Sequence, residues 1–286
     1  MAKAAFHVFS PKKLRSGVVF ASPHSGADYP QSFVTQSILT PLQLRSSEDA
    51  FVDRLFAAAP DYGVPFLTAV APRAFLDLNR AVDELDPALI EGVQRKGQNP
   101  RIASGLGVIP RVVAHGRVIY RGKLTAGEAQ ARIDGYWHPY HSALQDLLRQ
   151  ARDQFGQAIL LDCHSMPHEA IDMMGKRGER LPDVVLGDRF GAAADAEVMD
   201  RIEAAFTDAG LNVSRNTPFA GAYITQAYGR PSRGQHAVQV EIDRALYMDE
   251  ATITPNENFA VLKEILRGVI AEISQIGEEQ LPLAAE

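Results

Sequence analysis

The chain has 286 residues, of which 46% are hydrophobic and 22% charged, with a formal net charge of −6. That is ample apolar material for a large core, read here as a single domain over 1–286. No basic cluster suits a polyanion, which excludes nucleic acid as a partner, and no apolar run approaches the roughly 20 residues of a membrane-spanning helix. The lone cysteine, Cys163, excludes an internal disulfide framework and fits a reducing compartment, and "MAKAAFHVFSPKKLRSG" lacks the apolar stretch of a secretory signal. The expectation is a cytoplasmic globular protein.

In chain order, strand-length apolar runs alternate with helical patterns. The first strand candidate is "GVVFAS" (17–22), followed by a helix over 46–59, "SSEDAFVDRLFAAA", which opens on Ser and acidic residues. "PFLTAV" (65–70) and "AFLDL" (74–78) read as two further strands. Residues 81–110, rich in Asp, Gly and Pro, read as a long excursion beside the site, of a kind that is often mobile. "RVVAHGRVIY" (111–120) reads as a short hairpin whose "AHG" centre supplies a turn glycine. A long helix over 125–156 opens on the capping box Thr125/Glu128 and ends at Gly156, with a kink expected at Pro139. Then come strands "AILLDCH" (158–164), "DVVLG" (183–187), "LNVSR" (211–215) and "HAVQVEID" (236–243), with helices over 195–210 and about 256–277. This alternation predicts an α/β protein: a three-layer α/β/α sandwich around a mixed, mostly parallel sheet.

In open α/β sheets ligands bind beyond the carboxyl ends of the strands, so strand ends are where chemistry is expected. Three carry polar residues: His24 after "VVFASP", Asp162 and His164 after "AILL", and Glu241 within "HAVQVEID". "DLNR" (77–80) adds Asp, Asn and Arg after "AFL". Two histidines and a carboxylate with one position left for water form a recurring catalytic zinc arrangement, and a separate Glu can take that water's proton. Arg80 has the fork that matches a substrate carboxylate, and Asn79 adds a donor or acceptor. Together these parts suit a metal-assisted amide hydrolase acting on small acidic substrates. Each also has a structural alternative: a packed histidine, a loop-capping Asp162, an ordinary ion pair at Arg80, a solvated edge-strand face at Glu241.

The set "SPHSG", "FLDLNR", "LLDCHS", "GAYITQAYG" and "HAVQVEIDRALYM" resembles the N-formylglutamate amidohydrolase family, in the family's order and over roughly 17–270. The resemblance implies an α/β/α fold distantly related to zinc carboxypeptidases and aspartoacylase. It also implies hydrolysis of N-formyl-L-glutamate to formate and glutamate in histidine degradation, with a divalent metal, zinc by preference. By that resemblance His24 and His164 are metal ligands and Glu241 is the general base. Asn79 and Arg80 hold a substrate carboxylate. No carboxylate stands three residues after His24, where Ala27 lies. The third ligand then falls among Glu48, Asp49 and Asp53, with Asp49 best by register and Glu48 next. Asp49 and Asp53, four apart, are expected to share a helix face. Asp162 is expected to orient a ligand histidine or to rest on backbone N–H groups.

Further residues are weighed beside these. Gly221, Thr225, Tyr228 and Gly229 in "GAYITQAYG" suggest a loop at the pocket mouth, with Arg230 and Arg233 able to add positive charge. His236, at the start of the Glu241 strand, is a candidate pocket residue. His138 and His141, three apart, resemble a metal pair but read better as surface and packing residues. Cys163, pointing opposite Asp162 and His164, reads as core, and nothing around Ser25 or Ser165 resembles a nucleophile elbow. The alternatives kept open are a deacylase of another N-acyl amino acid or small peptide-like amide on the same metal site, and a non-catalytic binding protein that retains the fold.

Overall fold

Seven apolar runs pair into one sheet in the computed structural model, which describes residues 4–94, 99–173 and 180–278. They are β1 (Phe6–Phe9), β2 (Val18–Ser22), β3 (Phe66–Ala69), β4 (Ala158–Met166), β5 (Val184–Gly187), β6 (Val213–Arg215) and β7 (Gln235–Asp243). Their spatial order is β1-β3-β2-β4-β7-β5-β6. β1 and β5 run antiparallel to their neighbours β3 and β7, and the other pairs are parallel, so the sheet is mixed and mostly parallel as expected. β1 was not foreseen, being a short, largely exposed edge strand.

Strand side chains alternate between faces, and both faces of this sheet are covered. Val18, Phe20, Ile159, Leu161 and Val240 pack with helices Val52–Leu55, Ala196–Asp208 and Phe259–Ser274. Val19, Leu160 and Ala237 pack on the opposite side with Leu144 and Leu148 of helix His138–Phe155. Leu262, Leu266, Val269, Ile270 and Ile273 form the buried stripe of the last helix, and full burial of each such side chain contributes about 1.5–3 kcal/mol. Among the described residues no helix is long and apolar enough to cross a membrane.

The longest strands, β4 and β7, lie side by side at the centre, in register from Ala158 opposite Gln235 to Met166 opposite Asp243. Cys163 faces the helical core beneath, while Asp162 and His164 emerge on the other face. The local sequence signals were accurate along the long helix. Thr125 and Glu128 form the capping box, and Gly156 ends the helix with φ of 74°. The irregularity expected at Pro139 appears as a π turn over Ile133–Trp137, just before it. The hairpin forms between Val112–Val113 and Arg117–Val118, with His115 and Gly116 both left-handed (φ 59° and 68°).

Three expectations are corrected. "AFLDL" is not a strand: residues 74–78 are turns and irregular chain, and the Asp77 amide donates to the Val108 carbonyl instead of a strand partner. The helix expected over 46–59 shrinks to Val52–Leu55, because Phe51 takes a left-handed conformation (φ 67°) that breaks it, a strain of about 1–2 kcal/mol. Asp49 therefore precedes the helix and shares no face with Asp53. "GAYITQAYG" contains a helix, Tyr223–Tyr228, burying Ile224, Thr225 and Tyr228. The 81–110 segment is mainly irregular in its described part, yet Leu89, Ile90, Val108 and Ile109 are buried.

Candidate metal centre

The site grows from three short segments. β2 delivers His24 two residues past its end, and the glycine of "PHSG" lets this turn lie flat on the chain after β3. A Cβ on Gly26 would press on the Ala71 carbonyl and come within 2.7 Å of the Val70 carbonyl. The Asp49 amide donates to the His24 carbonyl (3.1 Å), locking the second segment to the first. β4 delivers His164 on the same face as Asp162, and the two imidazole centres stand 4.7 Å apart.

His24, Asp49 and His164 each offer one ligand atom within 4.8 Å of the others, all buried. Asp49 Oδ2 lies 2.8 Å from His164 Nδ1 and 3.3 Å from His24 Nδ1. The far nitrogens are tied to other carboxylates: His24 Nε2 to Asp77 Oδ1 at 2.7 Å and His164 Nε2 to Asp162 Oδ2 at 3.0 Å. An ionised carboxylate only accepts, so His24 Nε2 carries the proton, whereas His164 Nε2 has the Asn79 amide nitrogen at 3.1 Å beside it as well. Both Nδ1 atoms face Asp49, with a carboxylate beside each far nitrogen, the arrangement in which a carboxylate orients a metal-binding histidine. His24 Nδ1 is buried and has no hydrogen-bond partner. An orphaned imidazole nitrogen, a second imidazole nitrogen and a carboxylate oxygen aimed at one point are a donor set that fits zinc.

The electrostatics agree. Burial opposes ionisation of Asp49, but the hydrogen bond of His164 and the charge of both imidazoles outweigh it and hold the carboxyl well below its usual range. Burial likewise opposes protonation of His164, and the charge and hydrogen bond of Asp162, with the hydrogen bond of Asp49, overcome it and raise the imidazole. Asp77, buried too, is held low by His24, Arg73 and Arg80. This spot draws positive charge.

Glu241 stands on β7 opposite His164. Burial pushes its carboxyl up to about 7, with His164 pulling it down and Asp49 pushing it further up. Gln239 Nε2 donates to Glu241 Oε1 (2.8 Å), and Gln239 Oε1 accepts from the Ala222 amide (3.0 Å). His24, Arg80, His164, Glu241 and Arg244 line a common cleft of about 590 Å³. Arg80 is anchored by Nε to the Leu106 carbonyl (3.0 Å) and by Nη1 to the Asn79 carbonyl (3.1 Å). Among the described residues no carboxylate lies within ion-pair distance of it.

Asn79 borders the cleft but its amide is already engaged. Nδ2 lies 3.1 Å from His164 Nε2, donates to Asp162 Oδ2 (3.2 Å) and approaches Gln239 Oε1 (3.5 Å), while Oδ1 accepts from the Ile224 amide (2.7 Å). Asn79 thus braces the Asp162–His164 pair against the first turn of helix Tyr223–Tyr228 rather than offering a free amide to a ligand.

Other candidates fall outside. Glu48 is turned to Tyr29 (2.5 Å) and Arg45 (3.1 Å), away from the two histidines. Asp53 lies in the short helix, apart from the cluster. Thr225 is fully buried and donates to the Ala222 carbonyl (2.9 Å), supporting the wall without lining the cleft. His236 sits at the wrong end of β7, five residues before Glu241, or about 17 Å along the strand. There its Nδ1 accepts from the Asp195 amide. Of "GAYITQAYG", Gly221 and Ala222 border the cleft while Thr225, Tyr228 and Gly229 do not. Arg230 donates to the Gln226 carbonyl (2.7 Å) at the surface. His138 is 53% exposed, and His141 is a buried packing residue.

Four residues of the site were given no role from the sequence: Arg73, Asp77, Gln239 and Arg244. Arg73 donates to Asp77 Oδ2 (3.1 Å), and Arg244 donates to Asp49 Oδ1 (3.0 Å). Asp77 stood in "DLNR" and Gln239 two residues before Glu241, on the same strand face, which is the signal that could have found them.

Comparisons with known proteins follow the same lines. The family model described as N-formylglutamate amidohydrolase matches residues 16–248. The N-formylglutamate deformylase of Pseudomonas aeruginosa is 30% identical over 270 residues, covering 93% of this chain and 94% of that protein. The crystal structure of N-formylglutamate amidohydrolase from Ralstonia eutropha JMP134 superposes with a TM-score of 0.89 at 36% identity, over 96% of this chain and 99% of that one. A gene product of Agrobacterium tumefaciens shares the fold, with a TM-score of 0.64 at 16% identity over 96% of each chain.

Proposed function

This chain belongs to the N-formylglutamate amidohydrolase family, and we propose that it is a metal-dependent hydrolase cleaving N-formyl-L-glutamate to formate and glutamate. This would be the deformylation step that closes one route of histidine degradation. The observation carrying the proposal is the convergence of His24 Nδ1, Asp49 Oδ2 and His164 Nδ1 beside Glu241 in a cleft that also presents Arg80.

His24, Asp49 and His164 would hold the divalent cation, zinc by the chemistry of the donors. When bound, the cation supplies Lewis acidity, polarising the formyl carbonyl and acidifying water. Asp77 keeps His24 in the tautomer that presents Nδ1, and Asp162 and Asn79 together orient the His164 ring. Glu241, raised to about 7, is suited to hold and release a proton near neutrality. Its Oε1 is fixed by Gln239, so Oε2 takes a proton from the attacking water. Glu241 returns that proton to the amine nitrogen as the C–N bond breaks. Arg80 meets a carboxylate of the glutamate half, its Nε and Nη1 anchored so that the guanidinium needs little ordering on binding.

The test is turnover on a panel of N-formyl, N-acetyl and N-succinyl amino acids, with protein stripped of metal and reloaded with zinc, cobalt or manganese. Reloading is expected to restore hydrolysis, with N-formyl-L-glutamate the best substrate. Equal rates for all three acyl groups would transfer the reading to a broader deacylase. Absence of hydrolysis in every reloaded sample would remove it.

A further inference from the structure

We propose that Arg244 is a positioning residue whose guanidinium holds Asp49 by Oδ1, so that Asp49 reaches the cation through Oδ2 alone. This rests on reading His24, Asp49 and His164 as the cation site, and it concerns a residue that the sequence motifs left without a role. Arg244 follows β7 directly and is only 5% exposed. One face of its guanidinium spans two segments of the site. Nη2 donates to Asp49 Oδ1 (3.0 Å) and approaches the Ser165 carbonyl (3.4 Å), while Nε donates to Ser165 Oγ (3.1 Å). Nη1 lies 3.9 Å from Glu250 Oε2. Ser165 is the residue after His164, so one side chain fastens the Asp49 segment to the end of β4.

The two oxygens of Asp49 are thereby given different tasks. Oδ2 faces both histidine Nδ1 atoms, at 2.8 and 3.3 Å, and Oδ1 belongs to Arg244. Were Oδ1 untethered, the carboxylate could turn about its terminal torsion, which is broad and roughly two-fold. It could then offer both oxygens to the ion and crowd the position that substrate or water needs. A planar guanidinium suits this task because its donors are set in a fixed fork. A lysine keeps the charge but cannot reach Asp49 and Ser165 Oγ with the same geometry.

Zinc dissociation constants, measured by chelator competition, and cobalt(II) visible spectra are compared for the wild type, Arg244→Lys and Ser165→Ala. Circular dichroism melts check that each variant folds. The expected result is one zinc per wild-type chain, a Kd weakened about 10- to 100-fold in Arg244→Lys, the range for lost outer partners of metal ligands, and a smaller weakening in Ser165→Ala. The cobalt spectrum of Arg244→Lys is expected to shift as a second Asp49 oxygen enters. Zinc Kd values within twofold of wild type and superimposable cobalt spectra in the folded variants would overturn the proposal while leaving the cation site intact. Should Arg244→Lys fail to fold, Ser165→Ala decides on the same criteria. A wild type that binds no zinc would overturn the cation site itself, and this proposal with it.

Discussion

Glu241 stands directly across from His164: the two are register partners in adjacent parallel strands, and their side chains leave the same face of the sheet. This pairing fixes the proposed base beside the proposed ligand through backbone hydrogen bonds alone, independent of any loop. Glu241→Gln keeps the size and the hydrogen bond from Gln239 but removes the proton carrier. Turnover of N-formyl-L-glutamate is expected to fall by about 10²- to 10⁴-fold, with metal content unchanged by atomic absorption. Turnover within tenfold of wild type, with metal retained, would take the proton transfer away from Glu241.

Much of this centre was legible because it is built on strands. His24, His164 and Glu241 end or punctuate apolar runs whose period is two, and period two carries its own geometry: Asp162 and His164 had to share a face, and Cys163 had to oppose them. Asp49 was reached only through resemblance, and its surroundings were misread. Serine and acidic residues before an apolar run look like a helix start, whereas the left-handed Phe51 delays the helix by six residues, from 46 to Val52. Nothing in the residue type announces that, since Phe51 takes the strained conformation in a tertiary context, its ring set edge-on to Phe259 and beneath Arg54. Arg244 and Arg73 were invisible for a related reason. An arginine in a sequence is solvent-facing by default, and only three-dimensional proximity to Asp49 and Asp77 gives these two their partners.

The same geometry predicts that Cys163 is chemically silent. Its side chain faces the helical core and is fully buried. Burial, with the charge of Asp162 adding to it, drives the thiol well above its usual range, so the reactive thiolate is suppressed twice over, by access and by ionisation. Native protein is expected to resist a thiol-reactive dye over hours and to take up one label per chain in denaturant. Rapid labelling of the native enzyme would show that this side of the sheet opens.

His141 sets an acid limit on stability. Its Nε2 donates to the Leu78 carbonyl (2.9 Å), and its Nδ1 accepts from the Tyr228 hydroxyl (2.8 Å), so the buried ring is neutral. Burial lowers its pKa to about 4, against about 6.5 in the unfolded chain. The unfolded state therefore binds the proton first as pH falls. The stabilisation is present above pH 6.5 and is lost progressively toward pH 4. Linkage makes the loss about 2 kcal/mol between pH 7.5 and pH 5. Urea unfolding at the two pH values checks it against His141→Gln, whose amide can still donate to Leu78 but does not titrate. The variant is expected to show a pH dependence smaller by that amount, and an equal dependence in both proteins would assign the acid limit elsewhere.

Asn79 and Arg80, adjacent in sequence, are expected to fail in different ways. Arg80 lines the cleft with its anchoring nitrogens tied to carbonyls and no carboxylate of its own among the described residues. Its remaining donors are the ones proposed to meet a ligand anion. Arg80→Ala should raise KM for N-formyl-L-glutamate about 10- to 100-fold, the equivalent of about 1.5–3 kcal/mol for a charged hydrogen bond, with a smaller change in kcat. Asn79 spends its amide on Asp162 and on the Ile224 amide, which means that it acts through His164 and through the helix behind the cleft. Asn79→Ala should leave KM within a few-fold, lower kcat, and weaken zinc binding, because Asp162 and His164 both lose the amide nitrogen that stands 3.2 and 3.1 Å from them. The two variants are separated by initial-rate kinetics and chelator competition on the same preparations. A KM defect in Asn79→Ala with unaltered zinc affinity would mean that the amide leaves its internal partners when substrate arrives and binds the carboxylate itself.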